Sequence, residues 1–290
     1  MPSWQTRAVG LYLRATRKRR YASAERGRRS MSAGLPAAAP PAHLGDRLTS
    51  EVVDGFEVTT VTPAAGALGG GHLLYLHGGA FVNGIARQHW ALVAELAEAT
   101  QRAVHVARYG LLPEHDADDA AGHLEALHRH LAPQGPLHVL GDSAGGNLAL
   151  LLAQAQAGGG TVVGLTLVAP WLDLSMSNPE VDALEPHDPW LTRAGLRPIA
   201  AAWAGTHDLR SPAVSPLFGR LDALPPTAVL VGDRDICLPD CRVLCERATS
   251  QPPPVLHVEA GSPHVYPLLP TPEGRRGRQV IVDHVRSTFA

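Results

Sequence analysis

The chain has 290 residues, 45% of them hydrophobic and 18% charged, and its 25 basic and 27 acidic side chains leave a formal charge of −2. This is the composition of a soluble globular protein with room for one large core and small appended elements, and no apolar run approaches the ~18 residues that a membrane span requires. The charge is lopsided: residues 1–30 carry nine Arg and Lys against Glu25 alone, a net of +8 that leaves −10 for the remainder, and this acidic remainder argues against a nucleic-acid partner.

Residues 1–31 read as one amphipathic helix. Trp4, Ala8, Leu11 and Ala15 share a face, while Arg7, Arg14, Arg17, Lys18 and Arg19 crowd elsewhere. The segment has neither a continuous apolar stretch nor a small-residue cleavage site, so it does not read as a secretory signal and a cytoplasmic address is expected. A basic helix of this kind also suits a membrane surface, although covering the site is the preferred expectation. Residues 34–41 form a Pro/Ala linker. Beyond it, apolar strand-like runs at 56–61, 73–76, 103–107, 137–140, 162–168, 227–231 and 255–258 alternate with helical patterns at 87–99, 117–131, 147–157, 239–249 and 276–288. Such alternation predicts an α/β fold, a mostly parallel sheet with helices on both faces. The triplets Gly69-Gly70-Gly71 and Gly158-Gly159-Gly160 read as surface turns, and His123, His128 and His130 as solvated side chains of one polar helix.

One segment breaks the alternation. Residues 176–212 follow a strand yet hold Pro179, Pro186, Pro189, Trp190 and Trp203, with a helical stretch near 191–204. The reading is a single domain over 1–290 with a small helical cap drawn from about 1–45 and 176–212. The cap would lie over the C-terminal edge of the sheet, where ligands of open α/β sheets bind. Trp4, Trp190 and Trp203 are available to line an apolar mouth there.

The chemistry is concentrated in two tracts. Gly141-Asp142-Ser143-Ala144-Gly145-Gly146 stands between a short buried strand and a buried helix, which is the setting of a nucleophile elbow. A serine hydroxyl is a weak nucleophile until a sharp turn holds it within reach of a histidine base. Upstream, His77-Gly78-Gly79-Ala80 offers backbone N–H groups for a developing oxyanion. Gly79 and Ala80 are the expected donors there, with Ala144 as the donor directly after the nucleophile, and His77 reads as a loop-stabilising hydrogen bonder. The acid should follow the nucleophile and precede the histidine. Asp233 and Asp235 both follow the strand at 227–231, and Asp235, deeper in the loop, is preferred. Asp233 then reads as a turn residue. His264, on a turn-rich loop after the last strand, is the expected base, and His257 lies inside that strand. Cys237, Cys241 and Cys245 recur every four residues and read as one buried helical face rather than a metal site or a disulfide framework.

The set His77-Gly78-Gly79-Ala80-Phe81, Tyr109 to His115, Gly141 to Asn147 and Pro170-Trp171-Leu172-Asp173 resembles the hormone-sensitive-lipase-like family of α/β-hydrolases from about residue 50 onward. The tract from Asp188-Pro189-Trp190 to Ser215-Pro216-Leu217 resembles a bacterial branch that includes lactone hydrolases. The resemblance implies a carboxylesterase with a helical cap. It carries over Ser143, Asp235 and His264 as a triad and Gly79, Ala80 and Ala144 as oxyanion donors. Ala80 stands where the family usually has a third glycine, and Gly110 where it usually has arginine. The expected activity is hydrolysis of small-molecule esters with short-to-medium acyl groups through an acyl-enzyme, without metal or cofactor. A lactonase or deacetylase would use the same machinery, and a non-catalytic small-molecule receptor on this fold is the remaining alternative.

Overall fold

The computed structural model describes residues 1–290. Eight strands form one sheet: β1 (Leu48–Val53), β2 (Phe56–Val61), β3 (His72–Leu76), β4 (Val104–Ala107), β5 (Leu137–Asp142), β6 (Val162–Val168), β7 (Thr227–Gly232) and β8 (Val255–Glu259), in the order β1-β2-β4-β3-β5-β6-β7-β8. Strands β3 to β8 run parallel, whereas β1 and β2 pair antiparallel at one edge. The inner strands β3, β4, β5 and β7 are buried along their whole length, as a sheet covered on both faces demands.

Nine helices accompany the sheet: α1 (Trp4–Thr16), α2 (Ala24–Ser32), α3 (Arg87–Thr100), α4 (Ala117–Leu131), α5 (Ala144–Ala155), α6 (Val181–Leu184), α7 (Arg193–Trp203), α8 (Leu238–Arg247) and α9 (Pro272–Ser287). Helix α3 packs with α9 and α4 with α5, so the sheet is sandwiched between helical layers. This is the mostly parallel sheet with helices on both faces expected from the alternation of patterns.

Three local expectations change. Residues 1–31 form two helices rather than one, because the chain turns through a 3₁₀ segment at Lys18–Tyr21 and Ser23 caps α2 by accepting the Arg26 N–H. Tyr21 is buried at this corner. Strand β1 escaped the reading because four of its six residues are exposed and it shows no apolar alternation. His123 is not solvated: it is fully buried against the Phe56 ring at 4.7 Å, neither ring nitrogen has a partner, and burial pushes its pKa down to about 4.

The N-terminal helices lie against the segment that interrupts the alternation. Helix α2 packs on α7 at backbone contact distance: a Cβ on Gly27 would overlap the Gly195 carbonyl oxygen. At the N-terminus of α1, Glu273 of α9 accepts from the Ser3 N–H at 2.6 Å, the Ser3 hydroxyl at 2.7 Å and the Thr6 hydroxyl at 2.6 Å. Those donors outweigh the desolvation of the Glu273 carboxyl and hold its pKa down to about 2.

Candidate active site

Strand β5 ends at Asp142, and the chain reverses into α5 through Ser143, whose φ of 52° and ψ of −118° are costly for a residue with a Cβ. A serine at a helix N-cap ordinarily accepts a hydrogen bond from its own helix. Ser143 makes no such bond, and its hydroxyl lies 2.9 Å from His264 Nε2 instead. The turn fits because Gly145 has no side chain: a Cβ there would overlap the carbonyl oxygen of Leu76 on β3. Local strain and close packing thus aim one hydroxyl at one imidazole.

His264 follows β8 on a loop whose next residue, Val265, has φ of 48°. Its Nδ1 lies 2.8 Å from Asp235 Oδ2, and Asp235 Oδ1 accepts the Cys237 N–H at 2.9 Å. Asp235 and His264 are both buried and Ser143 is half-buried. Burial works against a charged His264, but Asp235, with Asp188 and Asp142 beyond it, outweighs burial and raises the imidazole pKa above 6.5. Asp233 is elsewhere: its carboxylate accepts the Gly261 N–H at 2.6 Å and pins the turn before His264.

The loop after β3 comes to the same place. Gly79, Ala80 and Phe81 all have positive φ (135°, 54° and 59°). The N–H groups of Gly79 and Ala80 donate to no protein acceptor, and Ala144 is the first residue of α5, where helix geometry leaves an N–H free. Behind the loop, Phe81 stacks on Trp203 of α7 with ring centroids 4.1 Å apart and a 6° interplanar angle. Trp203 is therefore a buried buttress rather than a wall of an open mouth. The Trp190 and His264 rings pack T-shaped, with centroids 5.7 Å apart and an interplanar angle of 86°. Trp4 is 70% exposed.

Two carboxylates that the sequence reading left without a role support the site. Asp142 Oδ1 accepts the Tyr75 hydroxyl at 2.5 Å and the Gly78 N–H at 2.9 Å, while Oδ2 lies 3.5 Å from His89 Nε2. Burial alone would raise the Asp142 pKa, but the His89 contact and these donors bring it below the ordinary value. His77 is buried, bonds the Gly78 carbonyl through Nδ1 at 2.7 Å, and is pushed by burial to a pKa of about 4, so it stays neutral. Asp188 Oδ1 accepts the N–H groups of Trp190 at 2.7 Å and Leu191 at 2.9 Å. The signal for Asp142 was its place inside the elbow motif. Asp188 offered only an Asp-Pro-Trp string in an irregular segment.

The Cys237 thiol shares this corner, its sulfur lying within 4.8 Å of ligand atoms of Asp235 and His264. Burial, together with the Asp235 charge, pushes the thiol pKa far up. Two open surface depressions lie elsewhere, around Leu68–His72 with His105, and between Asp54–Phe56 and Asp118–Gly122.

Residues 73–268 match the family model for the alpha/beta hydrolase fold. An esterase of Acinetobacter venetianus is 35% identical over 184 residues, which are 61% of this chain and 60% of that protein, so the match leaves about two fifths of that relative unspanned. An acetyl-hydrolase of Streptomyces hygroscopicus is 33% identical over 219 residues, covering 72% of this chain and 73% of its own. Among solved structures, an esterase described as belonging to the bacterial hormone-sensitive lipase family superposes over the full length of both chains with a TM-score of 0.77 and 26% identity.

Proposed function

The chain belongs to the alpha/beta-hydrolase family, in its hormone-sensitive-lipase-like branch, and we propose that it is a serine carboxylesterase acting on short-to-medium acyl esters. The observation that carries this reading is the continuous hydrogen-bonded line from Ser143 Oγ through His264 to Asp235. With Nδ1 protonated and donating to Asp235 Oδ2, the Nε2 lone pair faces the Ser143 hydroxyl. His264 takes the hydroxyl proton as Oγ attacks the ester carbonyl. The N–H groups of Gly79, Ala80 and Ala144 receive the oxyanion, and the imidazolium returns its proton to the leaving alcohol. Water, deprotonated by the same nitrogen, then releases the acid and restores the serine. Donors preset for the oxyanion are worth roughly 10²–10³ in rate each, which is why the strained positive-φ loop at 79–81 is an asset rather than a defect.

A deacetylase is the second reading. It is favoured by the acetyl-hydrolase relative and by Ala80, whose methyl group narrows a site usually lined by glycine. The direct test is covalent. A p-nitrophenyl-activated alkyl phosphonate should abolish hydrolysis of p-nitrophenyl acetate and leave its phosphonyl mass on the peptide containing Ser143. A label on any other residue, or hydrolysis that survives stoichiometric labelling, would refute the serine mechanism.

A further inference from the structure

Helix α1 packs Val9 and Leu13 inward and turns a second apolar row outward. The inward face holds Thr6, Gly10 and Leu13, which are buried, and its anchor is polar: Ser3 and Thr6 on Glu273. Trp4, Ala8, Leu11 and Ala15 recur at the three- and four-residue spacing that places them in one row on a helix. All four are exposed, with Trp4 and Leu11 each at 70%, and Tyr12 beside them is 59% exposed. A monomer gains nothing by presenting such a row to water, so a stripe of this kind marks a contact surface.

The charges around the stripe say what it contacts. Arg7 lies one turn from Trp4 and from Leu11, and Arg14 one turn from Leu11. Of the nine basic side chains in residues 1–30, only Arg29 has a carboxylate partner, the exposed Glu25. The others meet no acidic group within salt-bridge distance, although the rest of the chain carries a formal charge of −10. A second copy meeting this face isologously would set two such basic segments against each other. A nucleic acid would find no use for the aliphatic Leu11, Ala8 and Ala15. An anionic lipid surface suits both features, since the apolar row enters the acyl boundary while the arginines meet headgroup phosphates.

We propose that α1 is an interfacial docking helix, seating the protein on anionic membrane surfaces through Trp4, Leu11 and Tyr12 with Arg7 and Arg14 at the headgroup level. The helix also touches the machinery. Arg14 donates to the Pro186 carbonyl at 3.1 Å, and Lys18, just beyond α1, donates to the carbonyls of Glu185 at 2.8 Å and Asp188 at 2.5 Å. Docking there would bring the segment that carries Trp190 close to the surface where apolar esters collect. The binding claim itself stands apart from the esterase reading, because its readout is not activity.

The test is sedimentation of the full chain with phosphatidylcholine vesicles, with and without phosphatidylglycerol. Binding should appear with phosphatidylglycerol and be weak on phosphatidylcholine alone. It should fall roughly tenfold or more in Trp4→Gln/Leu11→Gln and in Arg7→Gln/Arg14→Gln, as expected for an interfacial helix stripped of its apolar or its basic half. Both pairs are exposed, and unchanged thermal unfolding of the variants will show that the fold is intact. Failure to sediment with phosphatidylglycerol vesicles would overturn the proposal, as would equal binding to neutral vesicles or binding that ignores both variants. A dimer in sedimentation velocity that Trp4→Gln/Leu11→Gln converts to monomer would give the face to a second copy instead.

Discussion

Asp188 and Asp235, both without solvent exposure, are joined through one backbone group: the N–H of Ile236, next in sequence to Asp235, donates to Asp188 Oδ2 at 3.1 Å. Because Asp188 Oδ1 also holds Trp190 and Leu191, one carboxylate fastens the segment that touches His264 to the loop that orients it. Burial and the neighbouring Asp235 raise the Asp188 pKa, which is the expected consequence of two carboxylates sharing a dry corner.

That arrangement predicts a pH profile. The base must be neutral to accept a proton, and His264 is raised above 6.5 because the carboxylates outweigh its burial. The acidic limb of kcat/KM should therefore lie above pH 6.5, with activity falling as pH drops through it. Asp188→Asn removes one of the negative charges that favour the imidazolium and should move the limb to lower pH. A measured limb that stays in place while only thermal stability falls would leave Asp188 a structural role alone.

Ser143→Ala should lower kcat by several orders of magnitude with little change in thermal unfolding. The hydroxyl makes no helix-capping bond whose loss the fold would feel, and residual catalysis from the oxyanion donors alone is ~10³–10⁴ over water. Rates on p-nitrophenyl butyrate with highly purified protein decide this. An undiminished rate would remove Ser143 from the mechanism.

The two aspartates of the loop after β7 should separate cleanly. Asp235→Asn leaves His264 Nδ1 facing an amide that can favour the wrong tautomer, and kcat should fall by up to about 10⁴. Asp233→Asn weakens the grip on the Gly261 N–H and should mainly lower the melting temperature. If kinetics reverse the pair, Asp233 is the acid.

The legible parts of this chain were those where a local signal and a tertiary demand coincide. Strands β2 and β6 and helix α4 fall on their expected residues because buried apolar runs and capped helical periods are dictated by nearby sequence. Strand β1 lacks that signal, since both of its faces meet water along Thr49 to Val52. The Asp54-Gly55 dipeptide, with φ of 51° and 81°, was the hairpin cue that joined it to Phe56. In the candidate site, Ser143, Gly79 and Ala80 sit in motifs whose spelling anticipates their positive φ, and Ala144 follows directly at the start of α5. Asp188, Tyr75 and His89 come from a loop, a strand and a helix far apart in sequence, and only folding makes them neighbours of the machinery. Helix α1 shows the opposite failure. Its amphipathic period was plain, but periodicity does not say which side faces inward, and Trp4 faces out.

The last prediction concerns the size of the acyl group. Ser143 is half-buried, His264 is nearly covered, and Trp190 packs T-shaped against it, while the Phe81–Trp203 stack closes the rear of the loop at 79–81. A centre covered in this way, at the roughly 300–1,000 Å³ ordinary for ligand sites, would accept a short acyl chain and then run out of wall. Each added methylene gains ~0.8 kcal/mol only while it finds apolar surface to cover. Hydrolysis across p-nitrophenyl esters should therefore peak at about two to eight acyl carbons and fall steeply beyond, with the loss seen in kcat/KM. Trp190→Ala removes the ring packed against His264 and should widen the centre and shift the optimum to longer chains. A wild-type optimum on long-chain triglyceride emulsions would contradict the covered centre and make this protein a true lipase.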